Sequence, residues 1–228
     1  MGTDYGEMVK QKGLGSSHRY AALLVSPRSE VLDIGCASGY LGQILTQKGC
    51  RVTGVEVYPA AAKQARQFCQ TVIEGSIEEG KVLASLKDKY DHILLLDVLE
   101  HLVDPEAALN NLRAKLKPQG RLMISLPNIA YYAHRLSIFF LGKFEYQESG
   151  TFDRTHLHFY TFYSAQKLFR RMGFSIKDIL INASGLIQPN EEKRLAGGFW
   201  SKLAKSLCLR FFPNLFIMHA TYVLEPIT

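Results

Sequence analysis

The chain has 228 residues, 47% of them hydrophobic and 21% charged, with a formal net charge of +6. This composition excludes a disordered or low-complexity chain and predicts one globular domain over 1–228 with room for a sizeable core, which the strand–turn–helix order along the chain makes α/β. Its basic residues are scattered and no aromatic-interleaved RNA motif accompanies them, so nucleic acid is not an expected partner.

The first residues, MGTDYGEMVKQKG, contain no apolar signal core, and no apolar run reaches spanning length without a charge. Residues 3–26 read as one or two short helices, forming an N-terminal cap over 1–28 with Tyr20, Leu23, Leu24 and Val25 on the core. The next stretch organises everything after it. In VLDIGCASGYLG, Val31 to Ile34 is a buried strand, Gly35 and Gly39 make a turn, and a helix starts at Tyr40. Asp33 stands at the strand's end. A fixed carboxylate there repels a pyrophosphate and suits a ligand carrying an ammonium group. A second apolar strand, Val52 to Val57, holds Glu56 at the spacing where an acid takes ribose hydroxyls. Ribose plus an amino acid, without phosphate, describes S-adenosylmethionine.

A helix from Pro59 to Phe68 and a strand from Thr71 to Glu74 lead to Gly75-Ser76-Ile77. The fourth strand, Ile93 to Leu96, ends in Asp97-Val98 at the ligand edge. Asp104-Pro105 reads as the N-cap and first residue of a helix over Glu106–Leu116. Lys117-Pro118-Gln119-Gly120 reads as a turn with glycine at positive φ. The fifth strand, Arg121 to Leu126, ends in Pro127-Asn128 and completes a core over 29–128. Residues 129–160 interrupt the alternation with a helix through Tyr131–Leu141 and then DRTHLHFYT, an insertion suited to a substrate cap. Over 161–228 follow a helix (Ser164–Met172), a strand (Phe174–Leu180), a polar loop (183–195), an amphipathic basic helix (Phe199–Phe211) and a terminal strand (Leu215–Leu224). The amphipathic helix packs on the domain or touches a membrane surface. Cys36, Cys50, Cys69 and Cys208 have neither metal spacing nor close pairing, which fits free thiols in a reducing, cytoplasmic compartment.

Over roughly Glu30 to Phe174 the chain resembles the class I S-adenosylmethionine-dependent methyltransferases, in particular small bacterial-type methyltransferase domains. The motif acid-x-Gly-x-Gly-x-Gly appears here as Asp33, Gly35, Ala37 and Gly39, with alanine in place of the middle glycine. DVLEHL, LKPQGRLMISLPN and HATYVLEP match later motifs. The resemblance implies a Rossmann-like, mostly parallel seven-stranded sheet with helices on both faces, an antiparallel C-terminal edge strand and a helical cap after strand 5. It implies S-adenosylmethionine as cofactor, lined by Asp33, Gly35, Cys36, Ala37, Gly39, Glu56, Val57, Ser76, Ile77, Asp97 and Val98, with Ile77 over the adenine face. Tyr5, His18 and Arg19 then become lid candidates.

DRTHLHFYT is similar to segments of methyltransferases of glycan and envelope biosynthesis. His156 is accordingly the leading group facing the methyl acceptor, with His101 beside it as the second catalytic candidate. Asn128, Tyr131, Arg135, Asp153 and His158 are expected around the acceptor, and Arg154 either joins them or pairs with a surface acid. Glu100 and His101 shape the pocket floor without metal, although some relatives place a divalent cation on acid-x-x-Glu-His with a further histidine. The expected reaction methylates an oxygen or nitrogen of a small-molecule, glycan or lipid-precursor acceptor. A nucleotide-dependent oxidoreductase and a catalytically degenerate binding module are the rival readings.

Overall fold

The computed structural model describes residues 15–87, 89–182 and 210–227. Tyr5, the 183–195 loop, Cys208 and nearly all of the expected Phe199–Phe211 helix lie outside the described residues. Helix α1 (Ser16–Leu24) precedes an alternating series: β1 (Glu30–Ile34), α2 (Tyr40–Gln47), β2 (Arg51–Glu56), α3 (Pro59–Ala65), β3 (Thr71–Glu74), α4 (Gly80–Ser85), β4 (Tyr90–Leu96), a 3-10 turn (Leu99–His101), α5 (Pro105–Lys115) and β5 (Leu116–Pro127). Then come α6 (Tyr132–Leu141), α7 (Phe162–Arg171), β6 (Phe174–Asn182), α8 (Pro213–Phe216) and β7 (His219–Pro226).

The strands form one sheet in the order β3-β2-β1-β4-β5-β7-β6. The pairs from β3 to β5 are parallel. Buried on both faces, β1 and β4 are near-continuous apolar runs, as central parallel strands require. Alternate side chains feed two cores. Leu32 and Ile34 join Leu109, Leu112 and Phe169 beneath α5 and α7. Val31 joins Ala21, Leu41, Leu45 and Leu94 beneath α1 and α2. The chain leaves β1 toward β2 and returns on the other side as β4. The crevice for a ligand therefore opens where the C-terminal ends of β1 and β4 part.

The C-terminal strand is antiparallel, as expected, but it is inserted between β5 and β6 rather than placed at the margin. The edge is β6, which pairs antiparallel with β7 and so runs in the direction of β5. Two further expectations are corrected. Lys117–Gly120 is no separate turn but the start of β5, and Gly120 is absent from the positive-φ glycines. A Cβ on Gly120 would lie 2.9 Å from the Tyr90 carbonyl oxygen, so close strand approach is what demands glycine there. The N-cap at Asp104 holds, with Ala107 N–H donating to its Oδ1 at 2.9 Å.

The insertion is tied at its base, where Ile129 N–H donates to the Tyr160 carbonyl at 2.9 Å. Its last stretch is pinned to the 3-10 turn, because Leu157 and His158 N–H both donate to the Glu100 carbonyl, at 2.9 and 3.1 Å. That pinning brings His156 over Glu100.

Candidate functional site

The turn after β1 is built by conformation and close contact. Gly35 and Gly39 have φ of 72° and 80°, and a Cβ on Gly39 would sit 2.8 Å from Ala65 Cα. A Cβ on Gly35 would meet Val98 Cγ2 at 2.7 Å, so the β1 turn and the residue after Asp97 share one wall. Ala37 also lies in the left-handed region, at φ 47°. A non-glycine residue there costs roughly 1–2 kcal/mol. Glu56 offsets this: its Oε2 accepts from Ala37 N–H at 2.8 Å and its Oε1 from Tyr58 N–H at 2.9 Å. Each carboxylate oxygen has a second lone pair, so both remain able to accept from a ligand hydroxyl.

Asp33 is only 4% exposed. Burial, and then the charge of Glu56, push its carboxyl up to about 7. A buried carboxyl beside a second acid gains from any cation brought next to it. Cys36 is turned away from the crevice: its N–H donates to the Val55 carbonyl at 3.2 Å and its buried thiol contacts Cys69 beneath. The hydrogen bond with Cys69 and then burial raise that thiol. The expected cofactor role of Cys36 is thereby corrected to a packing role. Ile77 is likewise a core residue, at 2% exposure. The Ser76 hydroxyl is used locally, accepting from Glu78 N–H at 3.2 Å. Val57 is exposed at the end of β2.

Asp97 follows β4 at φ 57° and is half-buried. Its Oδ1 accepts from Ser125 Oγ at 2.8 Å and from His219 Nε2 at 2.6 Å. Burial opposes its charge, but His219 beside it and both hydrogen bonds hold the carboxyl well below the usual range. His219 is raised in turn: burial works against its charge and Asp97 outweighs it. His18, the lid candidate, stands nearby and meets the Tyr40 hydroxyl at 2.6 Å. Burial lowers it.

A second cluster lies under the insertion. Glu100, His101 and His156 each offer a ligand atom, all within 4.8 Å of one another. Glu100 is 1% exposed, and neither of its carboxylate oxygens has a hydrogen-bond partner. His156 Nε2 lies 3.9 Å from Oε1. Burial, then the negative charge of Asp97, raise Glu100 well above its usual value. Local partners fix the tautomers of both rings. His156 Nδ1 faces the Thr151 carbonyl at 3.1 Å, and a carbonyl only accepts, so Nδ1 carries the proton and Nε2 keeps its lone pair. Thr155 donates its hydroxyl to Asp153 Oδ1 at 2.6 Å and so accepts from His101 Nδ1 at 3.0 Å. Burial, and after it His101, lower His156 and favour the neutral ring. The orphaned oxygens, two imidazole lone pairs and supported Nδ1 protons fit a divalent cation. The sequence grouped Asp97 with Glu100 and His101. The structure instead pairs Asp97 with His219 and brings His156 to the other two.

The remaining acceptor candidates divide. Asp153 supports His101 through Thr155 rather than facing the crevice. Tyr131 is buried, its ring 5.6 Å from that of His134. Asn128 is removed from the acceptor set, because its side chain is consumed internally. Its amide donates to the Asn214 and Ile217 carbonyls at 2.9 and 2.6 Å and accepts from Ala130 and Phe162 N–H. His158 turns toward the Val103 carbonyl, at 3.4 Å, away from His156. Arg135 is exposed on α6, and Arg154 pairs with Glu148 at the surface. Sequence reasoning missed Ser125, Thr155 and His219. The one available signal was a histidine opening a strand level with the end of β5.

A family model described as a methyltransferase domain matches residues 11–178. Over 111 residues the chain is 32% identical to a ubiquinone biosynthesis O-methyltransferase of Coxiella burnetii (strain RSA 493 / Nine Mile phase I), covering 47% of each protein. The chain thus spans about half the length of the curated relatives it matches. A S-adenosylmethionine-dependent methyltransferase of Archaeoglobus fulgidus superposes with a TM-score of 0.64 at 18% identity, covering 97% of this chain and 100% of that one. The magnesium protoporphyrin IX methyltransferase of Synechocystis PCC 6803, solved with bound SAH, gives 0.58 at 18% identity over 98% and 84%.

Proposed function

The chain belongs to the methyltransferase-domain family, and from that premise we propose that it moves a methyl group from S-adenosylmethionine to a hydroxyl oxygen of a small-molecule acceptor. The observation that carries the reading is the pair Asp33 and Glu56 at the glycine bend, one carboxyl buried at the end of β1 and one clamping the turn. The relatives' name, with its O-methyltransferase and ubiquinone biosynthesis, supports oxygen over nitrogen as the finer assignment. The free buried thiols Cys36, Cys50 and Cys69 support a reducing compartment.

Bound S-adenosylmethionine supplies an electrophilic methyl on a sulfonium. Asp33 takes its ammonium group, Glu56 its ribose hydroxyls, and Asp97, fixed by Ser125 and His219, borders its methionine portion. The insertion covers the acceptor and excludes water. Neutral His156 presents Nε2, which would take the hydroxyl proton as the acceptor oxygen bonds to the methyl carbon and the methyl–sulfur bond breaks, its electron pair staying on the sulfur of SAH. Alignment accounts for most of the rate.

The bare oxygens of Glu100 favour a second reading of the same floor. Glu100, His101 and His156 would hold a divalent cation, which would supply positive charge to acidify the acceptor hydroxyl. His156 is then a ligand, not the base. Transfer of labelled methyl to a panel of phenols, sugars and amines tests the reaction, with thermal shifts by S-adenosylmethionine, SAH and NAD beside it. Stabilisation by NAD alone makes the protein an oxidoreductase, and cofactor binding without transfer to any acceptor makes it a binding module. Chelation decides between the readings: activity lost and restored by magnesium or manganese supports the cation, whereas activity kept, with His156→Ala inactive, supports the base.

A further inference from the structure

Helix α6 is the most exposed apolar element among the described residues. Its sequence is YAHRLSIFFL, and none of its side chains is buried. Phe139 is 81% exposed, Phe140 70% and Leu141 65%, with Ile138 at 40%. A surface helix of a folded domain ordinarily turns one apolar stripe inward. Here four consecutive positions, 138 to 141, are apolar. At about 100° per residue they sweep some 300° of the circumference, so the helix tip is apolar on nearly every side. A protein groove contacts one side of a helix. A nonpolar phase contacts all of it.

Charge points the same way. Arg135 and Lys143 are exposed at the two ends of this tip, and no acidic residue occurs from 132 to 144, Glu145 being the first beyond it. Phe144 and Tyr146 continue the exposed apolar surface beyond Gly142, which ends the helix at φ 62°. At ten residues α6 reaches about 15 Å, half a bilayer's hydrocarbon core, so its tip can enter a membrane surface but the helix cannot cross the bilayer. None of the helices among the described residues is long and apolar enough to cross one. The base of α6 also touches the candidate site: His134 Nε2 meets Thr151 Oγ1 at 3.1 Å, and the Thr151 carbonyl takes His156 Nδ1.

We propose that the α6 tip, Ile138–Leu141 flanked by Arg135 and Lys143, docks this protein on an anionic lipid bilayer. Apolar side chains enter the boundary between headgroups and acyl chains, and the two cations meet anionic headgroups. The acceptor entrance is thereby held at the membrane surface, where a lipophilic acceptor concentrates. The docking itself stands on α6 and does not depend on the methyl-transfer reading.

The test is flotation of the full chain with vesicles of phosphatidylcholine, alone and with one-third phosphatidylglycerol. The wild type is expected to float with the anionic vesicles and more weakly with the neutral ones. Phe139→Ser/Phe140→Ser/Leu141→Ser should weaken flotation by about tenfold or more, and Arg135→Glu/Lys143→Glu should abolish the preference for anionic lipid. SAH thermal shifts check that both variants are folded and retain the cofactor site, since none of the five side chains is buried. Wild-type protein that stays with neither vesicle, or a folded serine variant that floats as well as wild type, overturns the proposal. A wild-type dimer that the serine variant dissolves, without vesicle binding, assigns the tip to a second copy and also overturns it.

Discussion

With Asp33 placed against the ligand's ammonium, as proposed, cofactor affinity is expected to depend on pH. The Asp33 carboxyl is raised to about 7 when no ligand is bound, by burial and then by Glu56. A ligand ammonium needs the carboxylate, so binding below neutrality must first expel a proton. The cost is about 1.4 kcal/mol per pH unit below 7, which makes SAH affinity about tenfold weaker at pH 6 than at pH 8. Binding at pH 6 should release about 0.9 proton per site, and at pH 8 about 0.1. Calorimetry with SAH in two buffers of different ionisation enthalpy reads both quantities. Asp33→Asn should bind more weakly at pH 8 and lose the slope. It should also stabilise the ligand-free protein there. A raised carboxyl favours folding fully below its unfolded pKa near 3.9 and loses that contribution as pH rises through 7, a difference of the order of 2–4 kcal/mol. An affinity flat from pH 6 to 8, or the same slope in Asp33→Asn, would refute the placement of Asp33 against the ligand's cation.

Three further outcomes are expected. Glu56→Ala frees Ala37 and Tyr58 N–H as well as the ribose contact, so calorimetry should show SAH affinity down about a hundredfold; unchanged affinity removes Glu56 from the site. His219 is raised by Asp97 once burial is overcome, so its stabilisation is complete below about pH 6.5 and fades as pH rises through its folded value. The depressed Asp97 contributes above about pH 3.9 and loses that contribution as pH falls. His219→Asn should therefore flatten the decline in stability as pH rises above about 6.5, by on the order of 1 kcal/mol once solvent screening at half-buried Asp97 is allowed for. Asn128→Ala should cost about 2–4 kcal/mol in urea unfolding while leaving KM for the acceptor nearly unchanged; a large KM effect without lost stability would return Asn128 to the acceptor site.

What the sequence discloses here is local. Val31–Ile34, Val52–Glu56 and Ile93–Leu96 are apolar because parallel strands are covered on both faces, and the glycine bend shows itself because Gly35 and Gly39 need left-handed backbone. The Asp104 N-cap is legible for the same reason, since its bond closes within three residues. Contacts made across long separations leave no such trace. His219 reaches Asp97 across 122 positions, and Asn128 meets Ile217 across 89. Nothing beside Asn128 distinguishes an amide spent on the far end of the chain from one waiting for substrate. Cys36 misleads because it shares the bend with Gly35 and Gly39, while its own thiol fills the space that Gly54 and Cys69 leave. His156 was legible as a polar group in an insertion. Its place over Glu100 depends on two backbone bonds to a carbonyl more than fifty residues earlier.

The placement of β7 governs when the protein can become complete. Synthesis delivers β1 to β5 and then β6 long before residue 219, yet β6 has no strand to join until β7 arrives, and the flank of β5 stays open for as long. A nascent chain stalled ahead of His219 would carry two unzipped margins prone to annealing with neighbours, and Asp97 without its imidazole partner. The last zip of the sheet and the arming of the pocket are one event.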